Sequence, residues 1–194
     1  MTYTAQPAPR VMIIAGETSG DHHGAHLVHA MRRKCPDLKI NGVGGPQMRM
    51  AGVDILVDAG MLSVVGITEV FSKLPDIFRK ASRIKKNMTA FPPDLLILID
   101  FPDFNLHMAK FAKQHGVVVL YYISPQIWAW RRGRVDTIRR YVDHMAVILP
   151  FEVDFYRAHD VPATFVGHPL LDHHGQAPAA AIRPDDADRV VVGL

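Results

Sequence analysis

The chain is poor in the features that would assign it quickly. A single cysteine, Cys35, stands in 194 residues, which excludes an internal disulfide framework and a cysteine-built zinc site and suits a reducing cytosol. On this count Cys35 is read as a buried small residue, not a nucleophile. No apolar run reaches the roughly 18 to 20 residues that a bilayer span needs, so membrane contact is expected to be peripheral. Neither sign of charge dominates: 22 Lys and Arg against 19 Asp and Glu leave +3, with no long basic tract, and nucleic acid is not implied as a partner. Residues 1–10 hold Pro7 and Pro9 but no apolar core, and read as a disordered lead, not a signal peptide. Neither Ser19 nor Ser124 lies in a Gly-x-Ser-x-Gly elbow. Eleven histidines invite a metal, and His22, His26 and His29 share a helix face. A His-Glu-x-x-His site would need glutamate at position 23, which is histidine, and no acidic third ligand is near, so no metal site is expected.

What is present is a core and an alternation. Hydrophobic residues make up 48% of the chain, enough for a sizeable interior. Short apolar runs at Val11 to Ala15, Lys39 to Val43, Asp54 to Val57, Leu95 to Ile99, Val117 to Ile123, Met145 to Leu149 and Thr164 to Val166 predict strands. Helical spacing between them predicts helices at 24–34, 46–50, 104–114, 134–141 and 150–159. Alternation of this kind predicts an α/β fold with a doubly wound, mostly parallel Rossmann-like sheet. No internal repeat is visible.

Leu95 to Ile99 is five apolar residues in a row, as a central parallel strand buried on both faces requires. Asp100 follows at the expected strand end and Pro102 prevents the ladder from continuing, which puts the carboxylate at the edge that lines the ligand crevice in open α/β sheets. Alternatively Asp100 caps the helix that follows, a task for which Asp103 is better placed. Gly16-Glu17-Thr18-Ser19-Gly20-Asp21 joins the first strand to the first helix, where exposed N–H groups favour an anion or a sugar hydroxyl. Its spacing is neither the dinucleotide nor the P-loop pattern, and a plain tight turn with Ser19 or Asp21 as N-cap is the other reading. Gly44-Gly45-Pro46 admits the same pair of readings. Trp128 and Trp130 fall beside Arg131 and Arg132 after a strand end; indole faces stack on sugar or lipid and guanidinium matches phosphate, unless the rings are core anchors.

Residues 66–88 form a basic amphipathic stretch. Ile67, Val70, Phe71, Leu74, Ile77, Phe78 and Ala81 recur on one face, which either packs into the core or meets a membrane. Lys73, Arg79, Lys80, Arg83, Lys85 and Lys86 crowd its flanks against only Glu69 and Asp76, the pattern of a helix lying in an anionic interface. After Asp172 the composition changes. Residues 173–189 read as a linker, and 190–194 as the first strand of a further domain.

Together, Gly16 to Asp21, Gly44-Gly45-Pro46, Gly66 to Val70, Ile99 to Asn105, Tyr122 to Pro125, Trp128 to Arg131, Leu149 to Glu152 and Val166 to Pro169 closely resemble the lipid-A-disaccharide synthase family, in the family's order. The resemblance covers about residues 11–172. It implies the N-terminal, acceptor-side half of a GT-B glycosyltransferase, with 190–194 entering a C-terminal nucleotide-sugar-binding domain. It further implies an inverting reaction without metal or cofactor, which joins UDP-2,3-diacylglucosamine to 2,3-diacylglucosamine 1-phosphate through a β(1→6) bond and releases UDP. Asp100 matches the family's essential aspartate and would act as general base. Gly16, Glu17, Ser19, Gly20, Asn105, Ser124, Trp128 and Arg131 are the implied substrate contacts. Val70, Phe71, Leu74, Ile77 and Phe78 would meet acyl chains or the cytoplasmic face of the inner membrane; a homo-oligomer is left open. One departure is Phe101, where a smaller residue is expected in some members. A UDP-sugar 2-epimerase, sharing the two-domain architecture, is the alternative enzyme, and a non-catalytic acceptor- and membrane-binding domain is the alternative for these residues alone.

Overall fold

The computed structural model describes residues 8–61, 67–129 and 133–174. Seven parallel strands form one sheet: β1 (Arg10–Ala15), β2 (Lys39–Gly44), β3 (Asp54–Asp58), β4 (Leu95–Ile99), β5 (Val118–Tyr122), β6 (His144–Val147) and β7 (Ala163–Phe165). Their spatial order is β3-β2-β1-β4-β5-β6-β7. Helices α1 (Thr18–Lys34), α2 (Pro46–Met50), α3 (Ile67–Ala90), α4 (Pro102–Gln114), α5 (Arg134–Tyr141), α6 (Pro150–Arg157) and α7 (Pro169–His174) make the crossovers and cover the faces. The expected α/β, doubly wound parallel architecture is what the chain adopts.

Two apolar layers explain the purely apolar central strands. One face of the sheet, through Ile13, Ala15, Ile97 and Ile99, packs with Val28 of α1 and Met48 of α2. The other, through Met12, Ile14, Leu96 and Leu98, packs with Ile84 and Met88 of α3 and Met108 and Ala112 of α4. Strands buried on both sides leave no position for a polar residue until they emerge. β1 and β4 lie side by side in register, Ala15 opposite Ile99. The chain winds outward from β1 to β3 and then from β4 to β7, so the order of winding reverses between these two strands. Gly16 and Asp100 therefore emerge together at the switch point, where open α/β sheets bind ligands.

Several boundaries differ from the expected ones for a physical reason. α1 starts at Thr18, not Gly24, because Gly20 and Gly24 are helical residues whose missing side chains let the helix lie close. A Cβ on Gly20 would meet that of Ala15 at 3.3 Å, and one on Gly24 would meet Met48 Sδ at 2.6 Å. α4 starts at Pro102, its N-cap is Phe101, and Asp103 sits inside its first turn. Neither Asp100 nor Asp103 is the cap. Arg10, at the end of the expected lead, already pairs in β1, and residues 173 and 174 at the start of the expected linker are helical. The remaining linker and the strand expected at 190–194 lie outside the described residues.

Candidate active site

Asp100 ends β4 in an unusual backbone. Asp100 and Phe101 have φ of 47° and 49°, and Ile123, just past β5, has 63°. Such left-handed values are rare outside glycine and concentrate where a site dictates them. Proline at 102 suits the first turn of α4, and the two residues before it turn the chain sharply from strand to helix. The Phe101 ring then lies over Gly16, where a Cβ would come within 2.3 Å of Phe101 Cδ1, and 5.6 Å from the Phe104 ring. Phe101 thus closes part of the crevice floor, and Gly16 has no side chain because that ring occupies the space.

The Asp100 carboxyl is half-buried. Burial raises its pKa above the ordinary carboxylate value, partly offset by the adjacent Phe101 backbone N–H and by the nearby His23 imidazole. Glu17 is also raised, by partial burial and by the negative charge of Asp100, so the two acids sense each other across the crevice. A carboxylate with a raised pKa is a better proton acceptor, the property wanted in a general base. Gly16 and Gly20 are buried while Glu17 and Ser19 are exposed at the rim.

Asn105, expected among the substrate contacts, is placed otherwise. It is 0% exposed, and its Nδ2 donates to the carbonyls of Asp100 at 2.6 Å and Ile99 at 3.2 Å. Its side chain holds the turn from within and cannot reach a ligand in this arrangement. Tyr121, singled out by nothing in the sequence, donates its hydroxyl to the same Asp100 carbonyl at 2.6 Å.

Asp21 is neither a ligand group nor the cap of its own helix, whose N-cap position is Glu17. It is 2% exposed and caps α2 across space: Oδ1 accepts from Gly45 N at 2.7 Å and Met48 N at 3.0 Å, and Oδ2 from Gln47 N at 2.9 Å. Gly45 leaves room for the carboxylate, since a Cβ there would lie 2.6 Å from Oδ2. The two glycine turns are thereby tied into one wall of a cleft of about 320 Å³, lined by Gly16, Thr18, His22, Pro46, Gln47 and Asp58 among others.

The loop after β5 is anchored, not free. Ser124 is buried and its Oγ shares a 2.6 Å hydrogen bond with Tyr156 Oη. Trp128 packs edge-on against Phe151, with centroids 5.0 Å apart. Its indole N–H is buried without a partner at full hydrogen-bond geometry, yet lies close enough to Glu152 to help hold that carboxyl's pKa down. Glu152, 1% exposed, accepts from Leu149 N at 3.0 Å; burial raises its pKa, partly offset by the Leu149 N–H, Trp128 and Ser124. Ser124 therefore fastens the loop to α6 and does not point to solvent, and Trp128 presents only part of its ring. Sequence reading missed Glu152 as a cap, although proline at the first and glutamate at the third helical position are the local signal that could have found it. Trp130 and Arg131 lie outside the described residues.

On α3 the two readings of the apolar face divide. Ala81, Ile84 and Met88 are buried, and Ile77 is partly buried and packs against that core, where α3 lies on β3 and α4. Phe78 is 69% exposed. The side chains of Val70, Phe71 and Leu74 lie outside the described residues. No described helix is long and apolar enough to cross a membrane.

The family model for lipid-A-disaccharide synthetase matches residues 11–187. The lipid-A-disaccharide synthase of Geobacter sulfurreducens is 53% identical over 195 residues, covering 98% of this chain and 51% of that protein. That of Trichlorobacter lovleyi is 57% identical over 163 residues, covering 84% and 43%. The chain spans about half the length of these relatives. Among solved structures, a UDP-N-acetylglucosamine 2-epimerase superposes with a TM-score of 0.58 at 12% identity, covering 87% of this chain and 55% of that one. A transferase from Siraitia grosvenorii in complex with UDP gives 0.52 at 13% identity, covering 82% and 50%. At such identities these two share the fold.

Proposed function

The chain belongs to the lipid-A-disaccharide synthetase family, and from that premise we propose that it supplies the acceptor side of an inverting glycosyltransferase. The acceptor is 2,3-diacylglucosamine 1-phosphate and the donor UDP-2,3-diacylglucosamine. Asp100 takes the proton of the acceptor's 6-hydroxyl as that oxygen attacks the donor's anomeric carbon. UDP departs from the opposite face, and the new bond is β(1→6). The observation that carries this reading is the half-buried Asp100 carboxylate of raised pKa, held on a left-handed turn beside Gly16 at the switch point of the sheet. Glu17 and Ser19, exposed at the same edge, are the proposed contacts to acceptor hydroxyls.

The test is Asp100→Asn in the full-length protein. A positioned base contributes on the order of 10² to 10⁴ in rate, so turnover should fall by about that factor with the thermal midpoint unchanged. Near-wild-type turnover would rule out Asp100 as the base. A UDP-sugar 2-epimerase would share the fold, and would convert UDP-N-acetylglucosamine without any acceptor.

Residues 11–172 are proposed as the acceptor-side domain, 173–189 as a linker and 190–194 as the start of the donor-nucleotide domain. This follows the resemblance and the half-length match to the relatives. Residues 1–194 alone should then fold without making disaccharide; robust product from them would misplace the division. The protein is further proposed to sit on the cytoplasmic face of the inner membrane through α3, whose exposed Phe78 stands among Arg79, Lys80 and Arg83. Basic residues at an anionic surface are each worth about 1 kcal/mol.

A further inference from the structure

The Asp100 turn poses a mechanical problem. Two consecutive side-chain-bearing residues, Asp100 and Phe101, are left-handed, where Cβ crowds the following carbonyl, so the turn would relax if nothing opposed it. What opposes it converges on one atom. The Asp100 carbonyl oxygen receives Tyr121 Oη and Asn105 Nδ2, each at 2.6 Å. Both donors are 0% exposed, so neither is available to a substrate, and they come from different elements, β5 and α4.

The Asn105 amide has a fixed sense. Its Nδ2 faces two carbonyls, and a flipped amide would set Oδ1 against both. Oδ1 is left buried without a partner, a loss the site tolerates because the nitrogen is needed on the other side. A carbonyl held by two donors fixes its whole peptide plane, since that plane is rigid. The same plane ends at the Asp100 Cα that carries the carboxylate, and its other side bears the Phe101 N–H, which lies near enough to that carboxylate to lower its pKa. The chain of restraint thus runs from Tyr121 and Asn105, through the peptide between Asp100 and Phe101, to the carboxylate.

We propose that Tyr121 and Asn105 are positioning residues which aim the Asp100 carboxylate by pinning the peptide plane that follows it. The assignment rests on the reading of Asp100 as the base, and makes the buried clamp part of the catalytic apparatus although it touches no substrate. With the plane unpinned, the left-handed turn relaxes and carries the carboxylate out of its half-buried position.

Tyr121→Phe tests this in the full-length enzyme, because it removes the hydroxyl and keeps the ring in the core. The expected result is a fall in kcat of about ten- to a hundredfold, the scale of a small misplacement of a reacting group, with KM changed by less than about twofold. The acid limb of kcat/KM should move to lower pH, as the carboxylate leaves the burial that raises its pKa. In an Asp100→Asn background the same substitution should change the residual rate by less than about twofold, because the clamp then has no base to aim. An equal fold-loss in both backgrounds would make Tyr121 merely structural and overturn the proposal, as would an unchanged kcat and acid limb. If Asp100→Asn itself retains near-wild-type turnover, the base assignment falls and the clamp's role falls with it; if it is inactive while Tyr121→Phe is not impaired, the clamp alone is refuted.

Discussion

Replacing Asp21 by alanine would cut the link between the two glycine turns. The wild-type carboxylate satisfies three backbone donors of α2, Gly45 and Met48 in buried positions and Gln47 in a partly buried one. In alanine's place the two buried N–H groups have no acceptor, at about 1–3 kcal/mol each, whereas Gln47 N–H can recover a water. Relief of the desolvated carboxylate offsets part of this, which leaves a net loss of about 1–5 kcal/mol. A domain is held by only about 5–15 kcal/mol, and at this size each kcal/mol moves the thermal midpoint by roughly 2–4 °C. Urea unfolding followed by far-ultraviolet circular dichroism should show the lower midpoint at an unchanged slope. Asp21→Asn keeps one acceptor oxygen and should lose about half as much. If Asp21→Ala lies within about 0.5 kcal/mol of wild type, the cap contributes nothing net and the argument from buried donors is wrong.

Gly16→Ala should destabilise by about 1–3 kcal/mol, because its Cβ would overlap the Phe101 ring at 2.3 Å in a packed site. Displacing Phe101 should also lower kcat by roughly tenfold or more, and an unchanged kcat would mean that the ring yields without moving Asp100. Glu152→Gln keeps the acceptor for Leu149 N–H but removes a titrating group whose folded pKa is raised. An acid raised on folding loses stability as pH climbs from its ordinary value, about 4.3, through the folded one. The glutamine variant should therefore gain on wild type across that window in thermal melts at stepped pH, and parallel curves would contradict the sign. Replacing Val70, Phe71, Leu74 and Phe78 by serine should weaken binding to anionic vesicles and turnover of acylated substrate while the thermal midpoint hardly moves. A large fall in the midpoint would place that face in the core.

How much of this was legible depended on the range of the interaction concerned. Runs such as Leu95 to Ile99 announced a central strand because burial on both faces forbids polar residues over its whole length, a constraint written locally. The βα alternation fixed a parallel sheet, and the acid at the end of β4 marked the crevice edge because strand ends in such sheets face ligand. Though it was not read from the sequence, the cap at Glu152 is equally local, three residues from Leu149. The cap at Asp21 is not. Its partners lie 24 to 27 residues away, and only the packing of α1 against α2 brings them together. Gly20 looked like a turn former and proved to be a contact point of a helix, a distinction that depends on what lies opposite. Asn105 and Ser124 were assigned to the ligand through the family resemblance, but a polar residue in a motif needs only some partner; the fold supplied buried ones, the Asp100 carbonyl and Tyr156. Tyr121 gave no signal, because a tyrosine in a strand reads as core, and its hydroxyl acquires a task only when β5 lies beside β4. Spacing along the chain determined which residues are inside and where the strands end; which polar group answers which was decided by crossovers that join distant segments.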